Sequence, residues 1–239
     1  MPVSPGASPF RTQFRTSAMR PSGRGGGSRA YPDGVPLTGL AGSYIRCVDS
    51  AALSFSNDIE LVIRAKATDW SAGVNQTLAG KYITTGNQRS WRFYVSTVGA
   101  LGLSVSADGT VSFVTNVVTP SVALVDGQAS WLRLRFDLTN GTNSVGSVDS
   151  ANGTTSDEPS SWTANGTPAN GLPVAGVFDS TAPLEIGAFG NGASERFTGT
   201  IYRVIVRSGF AGTVVADFDH RLSGLTGYTD AYGNTWVIS

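Results

Sequence analysis

The residues able to do chemistry are few. The chain has four glutamates (Glu60, Glu158, Glu185 and Glu195), one histidine, His220, and one cysteine, Cys47. A retaining glycosidase holds two carboxyl groups about 5 to 5.5 Å apart across the scissile bond. On a strand that requires acids at alternate positions, because only these share a face. Glu60 and Glu185 are each the sole acid of their apolar run, so hydrolysis is the least favoured reading. His220 stands in Asp217-Phe218-Asp219-His220 with no nucleophile at a telling spacing, and a surface or turn position is expected for it. One histidine and one cysteine cannot supply the ligands of a zinc site. No catalytic, metal-ligating or cofactor-binding residue is therefore expected. Calcium is the one cofactor left open, through Asp69, Asp108, Asp126, Asp149, Asp157 and Asp179 in or near expected loops. These form no dense Asp-x-Asp array, and turn formation accounts for them more simply.

Binding chemistry has better candidates. Leu132, Leu134 and Phe136 alternate with Trp131, Arg133 and Arg135. If the leucines face a core, the tryptophan and arginines face out. Trp70, Tyr82 and Trp162 are further aromatic candidates, whereas Trp91 belongs with the core. Arg64, Lys66, Arg92, Tyr94, Arg203 and Arg207 are expected to share the outward face. Two readings stay open. The face is either an ordinary solvated surface with snorkelling arginines, or a glycan contact face built from Trp131, Arg133, Arg135, Trp70 and Tyr82.

The elements that would carry these residues read as strands. Of 239 residues, 40% are hydrophobic, only 14% are charged, and 30 are glycine. This composition suits short strands joined by tight turns and suits helices poorly. Period-two alternation runs through Asp58 to Ala67, Trp91 to Val95, Leu101 to Val105, Trp131 to Leu138 and Thr200 to Arg207. In the last of these, Tyr202, Val204 and Val206 are expected to oppose Ile201, Arg203, Ile205 and Arg207. Asp108-Gly109 is a hairpin signal, with Val111, Phe113 and Thr115 continuing after it. Asn140-Gly141-Thr142, Asn152-Gly153-Thr154 and Asn165-Gly166-Thr167 are expected as turns. They also match glycosylation acceptors. No helix longer than two turns is expected, so the fold class is all-β.

The first forty residues differ from the rest. Pro2, Pro5, Pro9, Pro21, Pro32 and Pro36 interrupt them, and Gly25 to Gly27 loosen them. Arg11, Arg15, Arg20, Arg24 and Arg29 lie in the first 29 residues, which hold no acid. Such a segment buries too little apolar surface to order itself alone. It reads as an extended anchoring arm that docks on a partner through Phe10, Arg11, Phe14, Arg15, Arg20, Arg24 and Arg29. Nucleic acid is disfavoured as that partner, since the arginines are sparse and lysine is absent. Formal net charge is zero, and no apolar run is long enough to span a membrane. A lone cysteine excludes an intrachain disulfide and leaves the redox compartment open.

The order of motifs carries a resemblance. Asp58-Ile-Glu-Leu-Val-Ile-Arg-Ala is followed by Thr68-Asp69-Trp70, Gln76-Thr-Leu-Ala-Gly-Lys-Tyr82, Asn87-Gln-Arg-Ser-Trp-Arg92 and Ser106-Ala-Asp-Gly-Thr110. Then come Trp131-Leu-Arg-Leu-Arg135, Pro183-Leu-Glu-Ile-Gly187, Gly199-Thr-Ile-Tyr-Arg203, Val215-Ala-Asp-Phe218 and Gly233-Asn-Thr-Trp236. This series resembles the concanavalin A-like/laminin-G-like domains of bacteriophage virion proteins, minor tail proteins above all. The resemblance implies a two-sheet antiparallel jelly-roll sandwich over residues 41–239 behind an arm of residues 1–40. It implies a non-enzymatic virion structural protein, a minor tail component, oligomeric within the particle and in contact with other virion structural proteins. Capsid decoration and adhesion to a host surface glycan are the alternatives.

Overall fold

The computed structural model describes residues 33–55, 58–110, 114–118, 124–138, 144–170, 176–224 and 226–239. Its strands are β1 (Val35–Thr38), β2 (Ile45–Cys47), β3 (Ile59–Ala67), β4 (Gln76–Ile83), β5 (Gln88–Val95), β6 (Leu101–Val105), β7 (Val114–Val118) and β8 (Ser130–Asp137). They continue with β9 (Val145–Asn152), β10 (Thr163–Asn170), β11 (Leu184–Ile186), β12 (Thr198–Ser208), β13 (Thr213–Asp219), β14 (Gly227–Thr229) and β15 (Thr235–Ile238). Among the described residues, the helical pieces are two three-residue 3-10 turns. The all-β expectation holds.

Two antiparallel sheets face each other. One runs β1-β12-β3-β8-β9-β10, with β13 also paired to β12; the other runs β14-β15-β2-β11-β4-β5-β6-β7. Alternation decides what lies between them. Leu61, Ile63 and Ala65 of β3, Leu132, Leu134 and Phe136 of β8, and Val204 and Val206 of β12 point inward. They meet Trp91, Phe93 and Val95 of β5, Leu101, Leu103 and Val105 of β6, and Leu184 and Ile186 of β11. Full burial of side chains of this size contributes about 1.5–3 kcal/mol each.

Three details depart from the sequence reading. Val35–Thr38 is a strand paired to Ile201–Thr198 of β12, so strand structure begins within the segment assigned to the arm. In β12 the register slips between Ile201 and Arg203. This bulge turns Ile201 onto the core face with Val204 and Val206, instead of opposite them. Asn165-Gly166 is not a hairpin turn but lies inside β10, where Gly166 (φ +65°) sits at a register shift against β9. Asn152-Gly153-Thr154 does turn, with the Thr154 amide donating to Asn152 Oδ1. The Asp108-Gly109 turn is likewise as expected. Asn140-Gly141-Thr142, Val111, Phe113 and the arm residues Phe10, Arg11, Phe14, Arg15, Arg20, Arg24 and Arg29 lie outside the described residues.

The C-terminal hairpin locks the two sheets together through one buried carboxylate. Asp230 accepts from the amides of Asp217 (3.0 Å), Tyr232 (2.9 Å) and Asn234 (2.9 Å), from Asn234 Nδ2 and from Trp236 Nε1 (3.0 Å). Asp217 belongs to β13 and Trp236 to β15, so the contact spans the sandwich. Tyr228 adds a second tie, its hydroxyl accepting from the Asp219 amide and donating to the Asp217 carbonyl. Removing an acceptor from buried donors costs about 1–3 kcal/mol for each group left unpaired. Asp230→Ala should therefore lower unfolding stability by at least about 2–3 kcal/mol. Asp230→Asn, which keeps one acceptor oxygen, should cost less; thermal or urea unfolding measures both.

Candidate functional site

The structure places the five candidate contact residues in three different environments. Trp131, Arg133 and Arg135 stand on the outer face of the seven-stranded sheet, as alternation requires. Trp131 is nevertheless fully buried, and Trp70 and Tyr82 are buried as well. The glycan-face reading, one of the two left open, needs these three rings exposed, and the structure encloses all three. Trp70 sits inside the main core against Phe197. Tyr82 lies on the other sheet, its ring 5.2 Å from that of Phe189. Arg92 and Tyr94 are also on that second sheet, not beside Trp131.

What covers Trp131 is the connection between β9 and β10. Trp131 Nε1 donates to the Thr155 carbonyl (3.0 Å), and Arg64 Nε donates to the Gly153 carbonyl (2.8 Å). Arg207 reaches Glu158 from below, and Arg221 reaches Asp157. Val62, Trp131 and Ile205 thereby form a second small core, with Ala151, Trp162 and Val214 packed on it.

The arginines of this face are engaged internally. Arg133 and Arg135 each lie 2.8 Å from Asp149 Oδ2, Arg203 pairs with Asp217, and Arg207 joins Glu60 and Glu158. One arginine of this face lies over a tryptophan: Arg133 is 4.7 Å from the centre of the Trp162 ring. Arg64 lies 4.2 Å from the centre of the Tyr202 ring.

The outer face of the eight-stranded sheet is covered by the connection from Gly187 to Arg196. Arg92 is surrounded there by the rings of Tyr82 (4.9 Å), Tyr94 (4.9 Å) and Phe189 (5.0 Å). Its Nη1 lies 2.5 Å from Glu195 Oε2, close in distance but outside hydrogen-bond geometry, and Nε meets no acceptor. Glu185 is fully buried. One carboxyl oxygen accepts from the Asn191 amide (3.1 Å), and the other has no partner. Burial pushes its pKa up to about 7, against the pull of the Asn191, Gly192 and Gly190 amides and of Arg46. Periodicity places Glu185 on an outer face but carries no sign of this loop.

His220 is in a turn, as expected, but is buried. Its Nδ1 lies 2.8 Å from the Tyr202 carbonyl, and burial lowers its pKa. Cys47 is buried among core residues, and that burial raises its thiol pKa to about 12. This is the opposite of what activates a nucleophile. Asp69 and Asp108 cap their own turns, and Asp126 accepts from the Trp70 amide. Among the described residues no three His, Cys, Asp or Glu side chains gather as a metal site.

An open cleft remains at one end of the sandwich, with a volume of about 550 Å³. Gly39 follows β1, Gly73, Val74 and Asn75 precede β4, Thr97 follows β5, and Ala193, Glu195, Arg196 and Thr198 lead into β12. A second hollow of about 420 Å³ lies along residues 151–161. The acids that border these two hollows are each held by an arginine: Glu195 by Arg92, Asp157 by Arg221 and Glu158 by Arg207.

No protein-family model matches the chain, and no curated protein matches it in sequence. Solved structures do match. Domains LG4-5 of the mouse laminin α1 chain align over 79% of this chain and 44% of theirs, at 14% identity and a TM-score of 0.51. Tailspike protein 2 from Escherichia coli O157:H7 bacteriophage CAB120 aligns over 74% of this chain and 23% of its own, at 14% identity and a TM-score of 0.49. The sialidase CBM40 of Ruminococcus gnavus, bound to α2,3-sialyllactose, aligns over 71% and 89%, at 18% identity and a TM-score of 0.46. The laminin likeness establishes the fold alone: a laminin-G-like jelly-roll sandwich.

Two outcomes follow from the covered faces. Trp131→Ala should destabilise the protein by about 3–5 kcal/mol, as truncation of a buried tryptophan does; urea unfolding reads this directly. For Glu185, the folded state keeps its proton up to about pH 7, whereas the unfolded carboxyl releases it near 4.5. Stability should therefore fall as pH rises between those values. Glu185→Gln should remove that fall, matching the native chain near pH 4 and exceeding it near pH 8 by an amount on the order of 3 kcal/mol.

Proposed function

We propose that this chain is a virion structural protein, a minor tail component whose N-terminal arm docks on a neighbouring virion subunit and whose sandwich is displayed from it. The motif order described above supports the virion setting. The arm's arginines, prolines and two phenylalanines support docking, because together they offer charged and apolar contacts to a partner and little to a core of their own.

The observation that carries the non-catalytic part of this reading is the disposition of the four glutamates. Glu60 and Glu158 converge on Arg207. Glu185 is sealed beneath a loop, and Glu195 is held by Arg92. This disposition supports a non-catalytic role, because a glycosidase keeps both of its carboxyl groups free to reach the sugar. The continuous core from Val35 to Trp236 supplies a body able to stand clear of the particle surface.

The test compares the full chain with a version lacking residues 1–32, both supplied during infection by the phage that encodes them. The full chain should co-purify with particles. The shortened chain should keep its β circular-dichroism spectrum and its unfolding transition, yet be absent from particles. Absence of the full chain from particles would remove the virion reading, and normal incorporation of the shortened chain would remove the anchoring role.

A further inference from the structure

We propose that the end cleft lined by Gly39, Val74, Asn75, Thr97, Glu195 and Arg196 is a binding site for a saccharide that carries a carboxylate. This goes beyond the display role and stands whether or not the arm docks on a particle.

The electrostatics of the cleft come first. Arg196 is fixed by two backbone carbonyls: its Nε donates to Gly39 (2.8 Å) and its Nη1 to Ala193 (2.6 Å). No carboxylate pairs with it among the described residues, a state it shares with Arg46, Arg64 and Arg89, whereas Arg92, Arg133, Arg135, Arg203, Arg207 and Arg221 all have one. Of the four without a carboxylate, only Arg196 lines the cleft. Glu195 borders the same cleft, but its charge is met by Arg92. The wall is left with one uncompensated guanidinium, held in place before any ligand arrives. A planar guanidinium of this kind favours a carboxylate over a neutral group.

The remaining lining fits a polyhydroxylated ring. Asn75, Thr97 and Thr198 bring amide and hydroxyl groups, while Glu195 is engaged by Arg92 and by the Asn75 amide. The volume of about 550 Å³ lies within the usual range of ligand sites. Val98, Val48, Leu40 and Val74 are the four most exposed large hydrophobic side chains among the described residues, at 78%, 71%, 68% and 59%. Of the four, Val74 is in the lining itself, and Leu40 and Val98 adjoin lining residues along the chain. Val74 can cover the C–H face of a sugar whose hydroxyls and carboxylate meet the polar lining. Glu195 also holds a left-handed backbone (φ +43°), and its carbonyl accepts from the Thr77 amide at 2.7 Å. That bond ties the loop to β4 and keeps the cleft walls fixed.

The test presents the full chain to immobilised hexuronate-containing and sialylated oligosaccharides, each beside a counterpart whose carboxyl is reduced to an alcohol. At least one acidic member should be retained, with affinity at least about tenfold above that of its reduced counterpart, the scale of a lost charge-assisted pair. Arg196→Ala should lose that margin, and Arg196→Lys should keep part of it. Val74→Trp changes an exposed position and fills the cleft, so it should abolish retention while leaving the unfolding midpoint unchanged. Failure to retain any acidic oligosaccharide, equal binding of the reduced counterparts, or normal binding by a folded Val74→Trp protein would each overturn the proposal.

Discussion

A charge taken out of water must find its partner inside the protein, and this requirement organises the sandwich outside its apolar core. The inner faces of the two sheets are apolar and need no further explanation. The outer faces of the central strands are polar, yet they too are largely buried, because chain segments lie over them. Glu60, Asp149 and Lys81 are almost wholly removed from solvent, and each has an oppositely charged partner: Arg207, the Arg133–Arg135 pair and Asp49, respectively. Taking away one member would strand the other in a medium that solvates it poorly. These arginines and acids are therefore structural cross-links before they are anything else.

The same requirement explains how the covering segments are held. The β9–β10 connection contributes the carbonyls of Gly153 and Thr155 and the carboxylates of Asp157 and Glu158, which meet Arg64, Trp131, Arg221 and Arg207. The β11–β12 connection wraps its amides around Glu185. In one case the sheet offers donors and the loop acceptors; in the other the roles are reversed. Glu185 is the weak member of the set, since burial outweighs its amide contacts and leaves one oxygen bare. The Asp230 hub performs the equivalent task between the sheets, and there every contact is a hydrogen bond onto a single carboxylate.

Much of this frame was legible in the sequence, and the gaps have physical causes. Period-two alternation located β3, β5, β6 and β8 and their inward faces, because neighbouring side chains on a strand must point to opposite sides. It also put Trp131 on the correct side of its sheet. It could not show that Trp131 is buried, since the cover comes from residues about twenty further along the chain, through bonds to backbone carbonyls that have no sequence signature. Tyr82 was misread for the same reason, its cover being Phe189 and the Arg92 side chain. The β12 bulge inverted the expected phase at Ile201, and a single extra residue leaves no mark in an alternating run. β1 was hidden by Pro36. Proline argues against a central strand, but β1 is an edge strand, where proline is tolerated.

The open cleft was illegible for a further reason, and that reason bears on where such a fold can vary its function. Its lining comes from connections after β1, before β4, after β5 and before β12, so no local stretch contains the pattern. The sheet faces are committed to internal pairing, and altering a charge there costs folding free energy. The end loops carry less of this burden: Val74 and Val98 are exposed, and Arg196 is held by carbonyls alone. Substitution at these positions alters the cleft without disturbing the pairs that hold the sheets. A sandwich built this way leaves its end loops freer to vary than its flanks, whose electrostatics are already committed.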